Sequence, residues 1–293
     1  MTTPRHTLLA RLTGPLQAWG VLSRFDRRDT HTHPTKSGFI GMLAAALGHD
    51  RADDVTHLTA LRYGVRIDQP GTIVTDYHTV GSGTYPLRPR DLLTDPKRAA
   101  KAAPVTDHTT GNTFGPQAAH ALTGWYGAPK GIAPEPKTGT LTAAKVERAS
   151  ILSTRHYLAD AVFLAAVEHD DPTLLHQLAD ALEAPKRLLW LGRKSCPPTG
   201  TMALGIHPGT LEDNLTAAAP LTDPAAYHPT TTPPAEKAPK RLSAWIETSP
   251  HTTGAVRLND QPVNYNKRQH APRWETRTRI TPTSQITWGE LLA

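Results

Sequence analysis

Residues 11–48 read RLTGPLQAWGVLSRFDRRDTHTHPTKSGFIGMLAAALG, and this stretch decides the fold. His6–Leu12 has the apolar run of a short strand, and the turn-forming residues Thr13–Pro15 end it. A basic loop follows, after which Pro34–Thr35 marks a helix start and apolar residues recur at helical spacing up to Gly48. We therefore expect a strand, a basic loop and a helix in this order.

The same order of elements occurs twice along the chain. In the first half, Asp53–Leu61 predicts a short second helix, and the alternation of Tyr63–Ile67 predicts a strand. In the second half, Ala161–Val167 predicts a strand, Pro172 opens a helix, and Arg187–Leu191 predicts a further strand. Two β-α-β halves of this size are typical of an α+β, ferredoxin-like βαββαβ sandwich, an architecture that RNA-recognition motifs share.

A long insertion, about Thr72–Tyr157, separates the two halves. Its ends are rich in strand-forming residues, whereas its Gly- and Pro-rich middle, about residues 84–145, has neither helical nor strand periodicity. We therefore expect an extended β-hairpin thumb whose tip is mobile until it meets a partner. Residues 1–200 are expected to form the ferredoxin-like domain that carries it.

Residues 201–293 differ in character from the preceding part of the chain. Residues 216–241 contain six prolines and predict a linker or a segment that wraps over the surface. The strand-like segments RLSAWIET, GAVRL and RWETRTRI follow, and they predict a β-rich extension. The pattern leaves open whether these strands form a separate small sheet or extend the first one.

The charge of the chain favours a polyanionic partner. The 32 Lys and Arg residues exceed the 26 Asp and Glu residues, which gives a net charge of +6 and a pI of about 9.5. Asp160–Glu183 has six acidic residues and neither Lys nor Arg. The last sixty residues, by contrast, carry Arg257, Lys267, Arg268, Arg273, Arg277 and Arg279. A one-sided basic surface suits a nucleic acid, whereas scattered, solvated charges are the alternative.

Composition also bears on the compartment. Cys196 is the only cysteine, so no internal disulfide can form and an oxidising compartment is not indicated. The apolar run before Gly14 is too short for a secretory signal, and the longest later run, Ala161–Val167, cannot span a bilayer. We expect a soluble, cytoplasmic protein with no membrane partner.

The first basic loop is a candidate nucleic-acid site. It carries Arg24, Arg27, Arg28 and Lys36, whose side chains bind phosphates, beside two aromatic residues that can stack on bases. Ser37 lies at the helix start, where backbone N–H groups can bind an anion. The alternative is a packed loop in which Trp19 and Phe25 are buried and the arginines pair with Asp26 and Asp29.

A second candidate loop runs from Leu191 to Gly200. Arg193 and Lys194 follow Gly192, and a glycine allows close approach of a bent RNA backbone to the chain. Taken alone, this loop is also typical of an ordinary surface turn.

Motifs for other kinds of binding site are incomplete. No Walker A pattern occurs, and Gly81, Gly83 and Pro86 fail the dinucleotide fingerprint at its last position. His31 and His33 alternate, but neither an H-E-x-x-H motif nor a cysteine pair completes a metal site. We therefore expect no cofactor and no metal ion.

Acid–base catalysis has candidates at the two ends of the insertion. Tyr77 and His78 lie at one end, His156 and Tyr157 lie at the other, and a hairpin would bring the ends together. A histidine there could act as general base on a 2′-hydroxyl, with Lys or Arg stabilising the transition state. The alternative is that these side chains pack the hairpin base or stack on bases.

The motifs GPLQAWG, SRF, PTKSGFIGMLAAALG, DYHTV, RHYLADA and LGRKSCP occur in this order. The series resembles the CasD family, the RAMP-type subunits of the type I-E CRISPR surveillance complex Cascade. The resemblance covers Leu8 to about Pro198 apart from the middle of the insertion, and more loosely the final RWETRTRI. It implies a ferredoxin-like domain whose thumb is the insertion.

The resemblance also implies a function in antiviral defence. Members of the family bind the five-prime handle of the CRISPR RNA and cap the CasC backbone filament next to the large subunit CasA, which brings target DNA near. A different subunit, CasE, cuts the repeat RNA, so binding without catalysis is implied. The candidate RNA-binding residues are Gln17, Trp19, Arg24, Phe25, Arg27, Arg28, Lys36, Ser37, Tyr77, His78, Arg155, Gly192, Arg193 and Lys194.

Two alternatives stay open. A metal-independent endoribonuclease could use the four His and Tyr residues at the ends of the insertion, because type I-C relatives of this family process repeat RNA themselves. A small-molecule enzyme on the same fold is the other alternative, although the sequence has neither a cofactor motif nor a paired-carboxylate site.

Overall fold

The computed structural model describes residues 5–20, 26–80, 88–89, 125–126, 132–134, 141–143, 151–222, 241–287 and 290. The chain divides into two compact units, Met1–Tyr77 with Thr154–Ala293 and His78–Ser153. The strands are β1 (His6–Thr13), β2 (Leu16–Gln17), β3 (Arg27–Arg28), β4 (Arg62–Gln69), β5 (Thr72–Val80), β6 (Arg88–Pro89), β7 (Trp125–Tyr126), β8 (Ile132–Pro134), β9 (Leu141–Ala143), β10 (Ile151–Ala159), β11 (Val162–His169), β12 (Ala203–Pro208), β13 (Leu242–Thr248), β14 (Val256–Asn264) and β15 (Gln269–Ile280). The helices are α1 (Lys36–Leu47), α2 (Thr56–Thr59), α3 (Pro172–Glu183) and α4 (Leu211–Ala217).

One seven-stranded sheet forms the centre of the first unit. Its order is β12-β1-β11-β4-β13-β15-β14, and all neighbouring strands are antiparallel. Side chains of β1 alternate between two cores, so that Leu8 packs on one face of the sheet and Leu9 on the other. The first core includes residues of α1 and α3, and the second includes residues of α4. Helices therefore cover both faces of the sheet.

The predicted ends of the two long helices are confirmed. Thr35 caps the start of α1, because its hydroxyl accepts the backbone N–H of Gly38 at 3.2 Å, and Gly48 ends the helix with a φ of 91°. α3 begins at Pro172, and the carboxylate of Asp171 accepts a backbone N–H of its first turn at 2.8 Å. The strands predicted from the first apolar run, the first alternation and the second apolar run are confirmed as β1, β4 and β11. The second predicted helix forms only as the short α2.

The prediction of a strand at Arg187–Leu191 is wrong, and β12 occupies the edge position beside β1 instead. The alternation in that segment is real, because Leu189 is buried whereas Leu188 is 75% exposed. Its backbone, however, bonds locally: the Leu191 N–H donates to the carbonyl of Cys196 at 2.7 Å. The sequence of β12 hides a strand because it contains Gly205 at a φ of 86° and ends in proline.

The C-terminal strands extend the first sheet rather than forming a separate one. Ser243 of β13 pairs with Ile67 of β4, and β15 and β14 follow. The sheet thus runs across the expected domain boundary at residue 200. Of the two alternatives for residues 216–241, a linker or a segment that wraps over the surface, the linker is wrong for the first part, because Ala218 and Leu221 are buried in the second core. Residues 223–240 lie outside the described residues.

The β-rich ends of the insertion are confirmed as strands, since β5 pairs with β10. In the second unit, β6 pairs with β7 and β8 pairs with β9, both antiparallel. Most of the expected thumb tip lies outside the described residues. None of the helices in the described ranges has the length and apolar character needed to cross a membrane.

Candidate nucleic-acid interface

A second, smaller sheet brings the first basic loop against the end of the insertion. β3 pairs in parallel with the middle of β10, so that Arg27 lies opposite Thr154 and Arg28 opposite Arg155. The N–H of Thr154 also donates to the carbonyl of Asp26 at 2.8 Å. Three of the predicted cationic residues are therefore neighbours in one sheet, although the sequence separates them widely.

Gly192 positions the second candidate loop. Its φ is 89°, and a Cβ at this position would lie 1.8 Å from the carbonyl oxygen of Ala18. The N–H of Ala18 donates to the carbonyl of Leu191 at 3.0 Å. Packing of the loop against the chain itself thus requires glycine here, and the RNA contact of Gly192 stays a prediction.

Arg193 joins the two loops to β10. Its guanidinium donates to the backbone carbonyls of His156 at 3.0 Å, Arg28 at 2.7 Å and Asp29 at 3.2 Å. It also lies over the ring of Tyr157, 4.8 Å from the ring centroid. These bonds use three of the five guanidinium N–H donors, so Arg193 positions the surface, and its role as a direct RNA ligand stays a prediction.

Four cationic side chains around this junction form a surface that we call the basic surface: Arg27, Arg28, Arg155 and Lys194. Arg155 is half-buried and the other three are exposed. The Arg27 Nε lies 2.9 Å from Asp29 Oδ1, as the packed-loop alternative expects, but so exposed a pair is weak. Arg28 and Lys194 have no carboxylate partner among the described residues. The surface therefore keeps excess positive charge.

Gln17 and Trp19 are core residues, which corrects their prediction as RNA ligands. Gln17 is fully buried, and its amide nitrogen donates to the carbonyls of Leu12 at 3.1 Å and Ala161 at 2.8 Å. Its amide oxygen accepts the indole N–H of Trp19 at 3.1 Å. Both side chains thus satisfy their polar groups internally and leave no surface for RNA.

Lys36 is likewise an internal residue. Its side chain is 2% exposed, and its ammonium lies 3.0 and 2.9 Å from the two carboxylate oxygens of Glu247. Burial lowers the pKa of Lys36, and the attraction of Glu247 opposes part of that change. Ser37 is half-buried, and its carbonyl accepts the hydroxyl of Tyr265 at 2.7 Å. Neither predicted ligand at the helix start belongs to the basic surface.

The candidate catalytic residues differ in exposure and in partners. Tyr157 is 3% exposed, with its hydroxyl 3.4 Å from Ser195 Oγ, so it cannot reach a substrate. His156 is half-buried between the hydroxyl of Thr75 at 3.1 Å and a carboxylate oxygen of Asp29 at 3.5 Å. On β5, Tyr77 is 65% exposed and His78 is half-buried. Adjacent strand residues point to opposite faces, so neither predicted His and Tyr pair faces one reacting group.

Two of the predicted ligands, Arg24 and Phe25, lie outside the described residues, and the structure leaves their roles as predictions.

Sequence reasoning missed a buried ionic network behind the loop. His33, considered above as a metal ligand, is fully buried, and its Nε2 lies 3.0 Å from a carboxylate oxygen of Glu275. Arg273 bonds both oxygens of Asp260, at 2.7 and 2.9 Å, and lies 2.8 Å from Glu275. Asp260 also accepts the backbone N–H of Lys36 at 2.8 Å. The network therefore ties the start of α1 to β14 and β15.

Within this network, each carboxylate lies beside a group that is or can be positively charged. Burial alone would raise the pKa of Glu275, but the hydrogen bond and charge of His33 and the charge of Arg273 outweigh it, and the pKa stays below its ordinary value. The sequence held one signal, because Arg273 and Glu275 are two residues apart and so share one face of a strand. Opposite charges on one face beside apolar residues are compatible with a buried pair.

Two solved structures of CRISPR proteins share this fold. One, described as "Crystal structure of Cas protein", has a TM-score of 0.58 and 28% identity, with 96% of this chain and 97% of that chain covered. The other, described as "CRISPR RNA-guided surveillance complex", has a TM-score of 0.60 and 27% identity, with 94% of this chain and 90% of that chain covered. The class of protein is thus that of the CRISPR-associated proteins.

The chain belongs to the family described as CRISPR-associated protein (Cas_Cas5), whose sequence model matches residues 7–279. A curated relative, "CRISPR system Cascade subunit CasD" from Escherichia coli (strain K12), is 29% identical over 203 residues, which are 69% of this chain and 71% of that protein. The resemblance to the CasD family is confirmed.

Proposed function

We propose that this chain is the subunit of a type I-E CRISPR RNA-guided complex that binds the five-prime handle of the CRISPR RNA. The observation that carries the proposal is the basic surface, where Arg28 and Lys194 stand exposed without a described carboxylate partner. Exposed cations on β3 and on the neighbouring loop suit the phosphates of a single strand. The similarity to a CasD subunit and to a surveillance-complex structure supports the same role.

The fold supports this proposal. The strands β12-β1-β11-β4, with α1 after β1 and α3 after β11, follow the order of a ferredoxin-like sandwich. We assign residues 72–157 as its thumb, because β5 and β10 pair as the two arms of a hairpin. In the complex, the subunit caps a CasC filament and contacts CasA, with target DNA nearby and the complex in the cytoplasm.

A non-catalytic role is part of the proposal. The burial of Tyr157 supports it, and so do the opposite faces of the two residues in each His and Tyr pair, because a catalytic acid or base must reach the proton that it transfers. The subunit then contributes binding and orientation, and another subunit cuts the RNA.

The direct test is to express the full chain with its neighbouring subunits and to sequence the RNA that copurifies. The expected result is a population of RNA with one shared five-prime end. Random RNA ends would count against the proposal. Incubation of the purified chain with repeat RNA in EDTA should give no cut, and a defined cut that disappears in His156→Ala would establish the nuclease alternative instead.

A charge-reversed variant tests the basic surface itself. Arg28→Glu with Lys194→Glu should abolish retention of the handle RNA, because repulsion replaces two phosphate contacts. Arg257→Glu with Lys267→Glu is the matched control, since it changes net charge equally at two exposed residues of the C-terminal hairpin. Equal loss of RNA in both variants would show that net charge, and not this surface, binds the RNA.

A further inference from the structure

The C-terminal strands carry a second cationic surface, distinct from the basic surface. Trp245 of β13 pairs with Arg277 of β15, and Ser243 pairs with Arg279. Directly paired residues of antiparallel strands share one face, so these four side chains are neighbours. Arg277 and Arg279 are both exposed.

The charge on this face changes along β15. Arg273 and Glu275 lie on the same face but are buried and paired with each other at 2.8 Å. Beyond them, within the described part of the chain, Arg277 bonds only the hydroxyl of Ser243, at 3.0 Å, and Arg279 has no ionic partner. The exposed end of the strand therefore carries two uncompensated cations, which sit about 7 Å apart along the strand.

An aromatic ring borders the two cations. Trp245 is partly exposed, and the ring of His33 stacks on it with centroids 4.9 Å apart. The stacking fixes one side of the indole, which limits its motion and leaves the remainder of the ring beside Arg277. Cations next to a fixed aromatic ring are the combination that binds a single nucleic-acid strand.

This face lies on the seven-stranded sheet, whose strand β11 follows β10 of the basic surface closely in the chain. Ser243 pairs with Ile67, two residues before the end of β4, and Gln69 at that end pairs with Val162, which follows β10 closely. Three strand spacings separate β11 from β15, a span of about 14 Å. Roughly four nucleotides at 3.4 Å each cover that span. The first loop also runs from Arg28 to His33, and so reaches both surfaces.

We propose that Trp245, Arg277 and Arg279 form a second contact for the RNA strand, which continues the path from the basic surface. This inference rests on the proposed function, because it extends the same bound strand. The RNA backbone would bind the two guanidinium groups, and a base would stack beside the indole.

The test measures binding of the full chain to fluorescein-labelled oligouridylates of about four and about twelve nucleotides, a range that single-strand sites span. Arg277→Gln with Arg279→Gln should weaken binding of the longer RNA about twentyfold at 0.1 M salt and reduce the magnitude of its salt slope by about 1.4. The shorter RNA fills the basic surface alone, so its affinity should stay as in the wild type.

The matched control is Arg257→Gln with Lys267→Gln, which removes the same charge from exposed positions elsewhere on the hairpin. Equal weakening by both double variants, or no weakening by Arg277→Gln with Arg279→Gln, overturns the inference. Two other results would contradict the proposed function itself. In one, the wild type binds neither RNA. In the other, the variant Arg28→Glu with Lys194→Glu binds both RNAs as tightly as the wild type. Thermal unfolding of each variant shows that it is folded before binding is compared.

Discussion

Substitution of Lys36 distinguishes a buried ion pair from an RNA ligand. In Lys36→Met, the Glu247 carboxylate loses its cation and keeps the backbone N–H of Tyr63, 2.9 Å away, as a partner. Methionine fills a similar volume, so the main change is an uncompensated charge. We expect a large loss of folding stability and no change in the salt dependence of RNA binding.

The magnitude follows from the burial of the pair. Removing one partner of a fully buried ion pair costs about 3–5 kcal/mol. Glu247 keeps 20% of its side chain exposed, so water can reach the remaining charge. We therefore expect a loss of about 2–4 kcal/mol, which for a domain of this size lowers the melting temperature by about 5–10 °C.

Calorimetry and a salt series of RNA binding measure the two effects separately. Lys267→Met is the control, since Lys267 is exposed on the turn between β14 and β15 and its loss should change the melting temperature little. Adding Glu247→Gln to Lys36→Met should restore part of the stability, because the uncompensated charge is removed. An unchanged melting temperature, together with a salt slope smaller by about 0.7, would refute the ion-pair interpretation and return Lys36 to the RNA site.

Two further changes test the loop and the helix start. Gly192→Ala should lower the free energy of unfolding by about 4 kcal/mol or more in chemical denaturation, because its Cβ would clash with the Ala18 carbonyl. Gly254→Ala, at a φ of 78° with open space around it, should lower it by only about 1 kcal/mol of backbone strain. Equal losses in the two variants would contradict the packing argument. Burial raises the pKa of Tyr265, so above about pH 10 the unfolded chain loses a proton that the folded chain keeps, and stability falls as pH rises. Tyr265→Phe should lose about 1 kcal/mol of folding stability at neutral pH, because its hydrogen bond to Ser37 is removed. Above about pH 10, its denaturation midpoint should fall less steeply with pH than that of the wild type. An unchanged steepness would show that Tyr265 does not cause the loss of stability at high pH.

Local signals in the sequence predicted the two long helices, α1 and α3, and the central strands β1, β4 and β11, whereas α4 was not predicted. Thr35, Gly48 and Pro172 mark helix ends through backbone geometry and capping bonds, which act over a few residues. The strand β12 was missed because a strand forms only beside a neighbouring strand, and a local sequence pattern does not show which segments become neighbours. The apolar segment at Arg187–Leu191 had the alternation but no neighbouring strand, and β12 had the neighbour but a weak pattern.

The candidate site was predicted in part. The residue types were informative, and Arg27, Arg28, Arg155 and Lys194 do lie around one junction. The sequence could not predict which basic side chains are exposed, because the residue type is the same whether the side chain faces solvent or a buried carboxylate. Lys36 shows the difference, since its partner Glu247 lies 211 residues away in sequence.

Internal pairing also determines where the net positive charge can act. Arg66 and Asp68, both completely buried, cancel each other, and so do Lys36 and Glu247 to a large extent. Each such pair removes one positive and one negative charge from the surface. The net charge of +6 therefore stays unchanged and belongs to fewer exposed groups. The buried pairs therefore add no net charge, and the positive potential of the surface arises from the exposed cations. We therefore expect the loss of an internal pair to weaken RNA binding only through the fold, and the loss of an exposed arginine to weaken it through the charge.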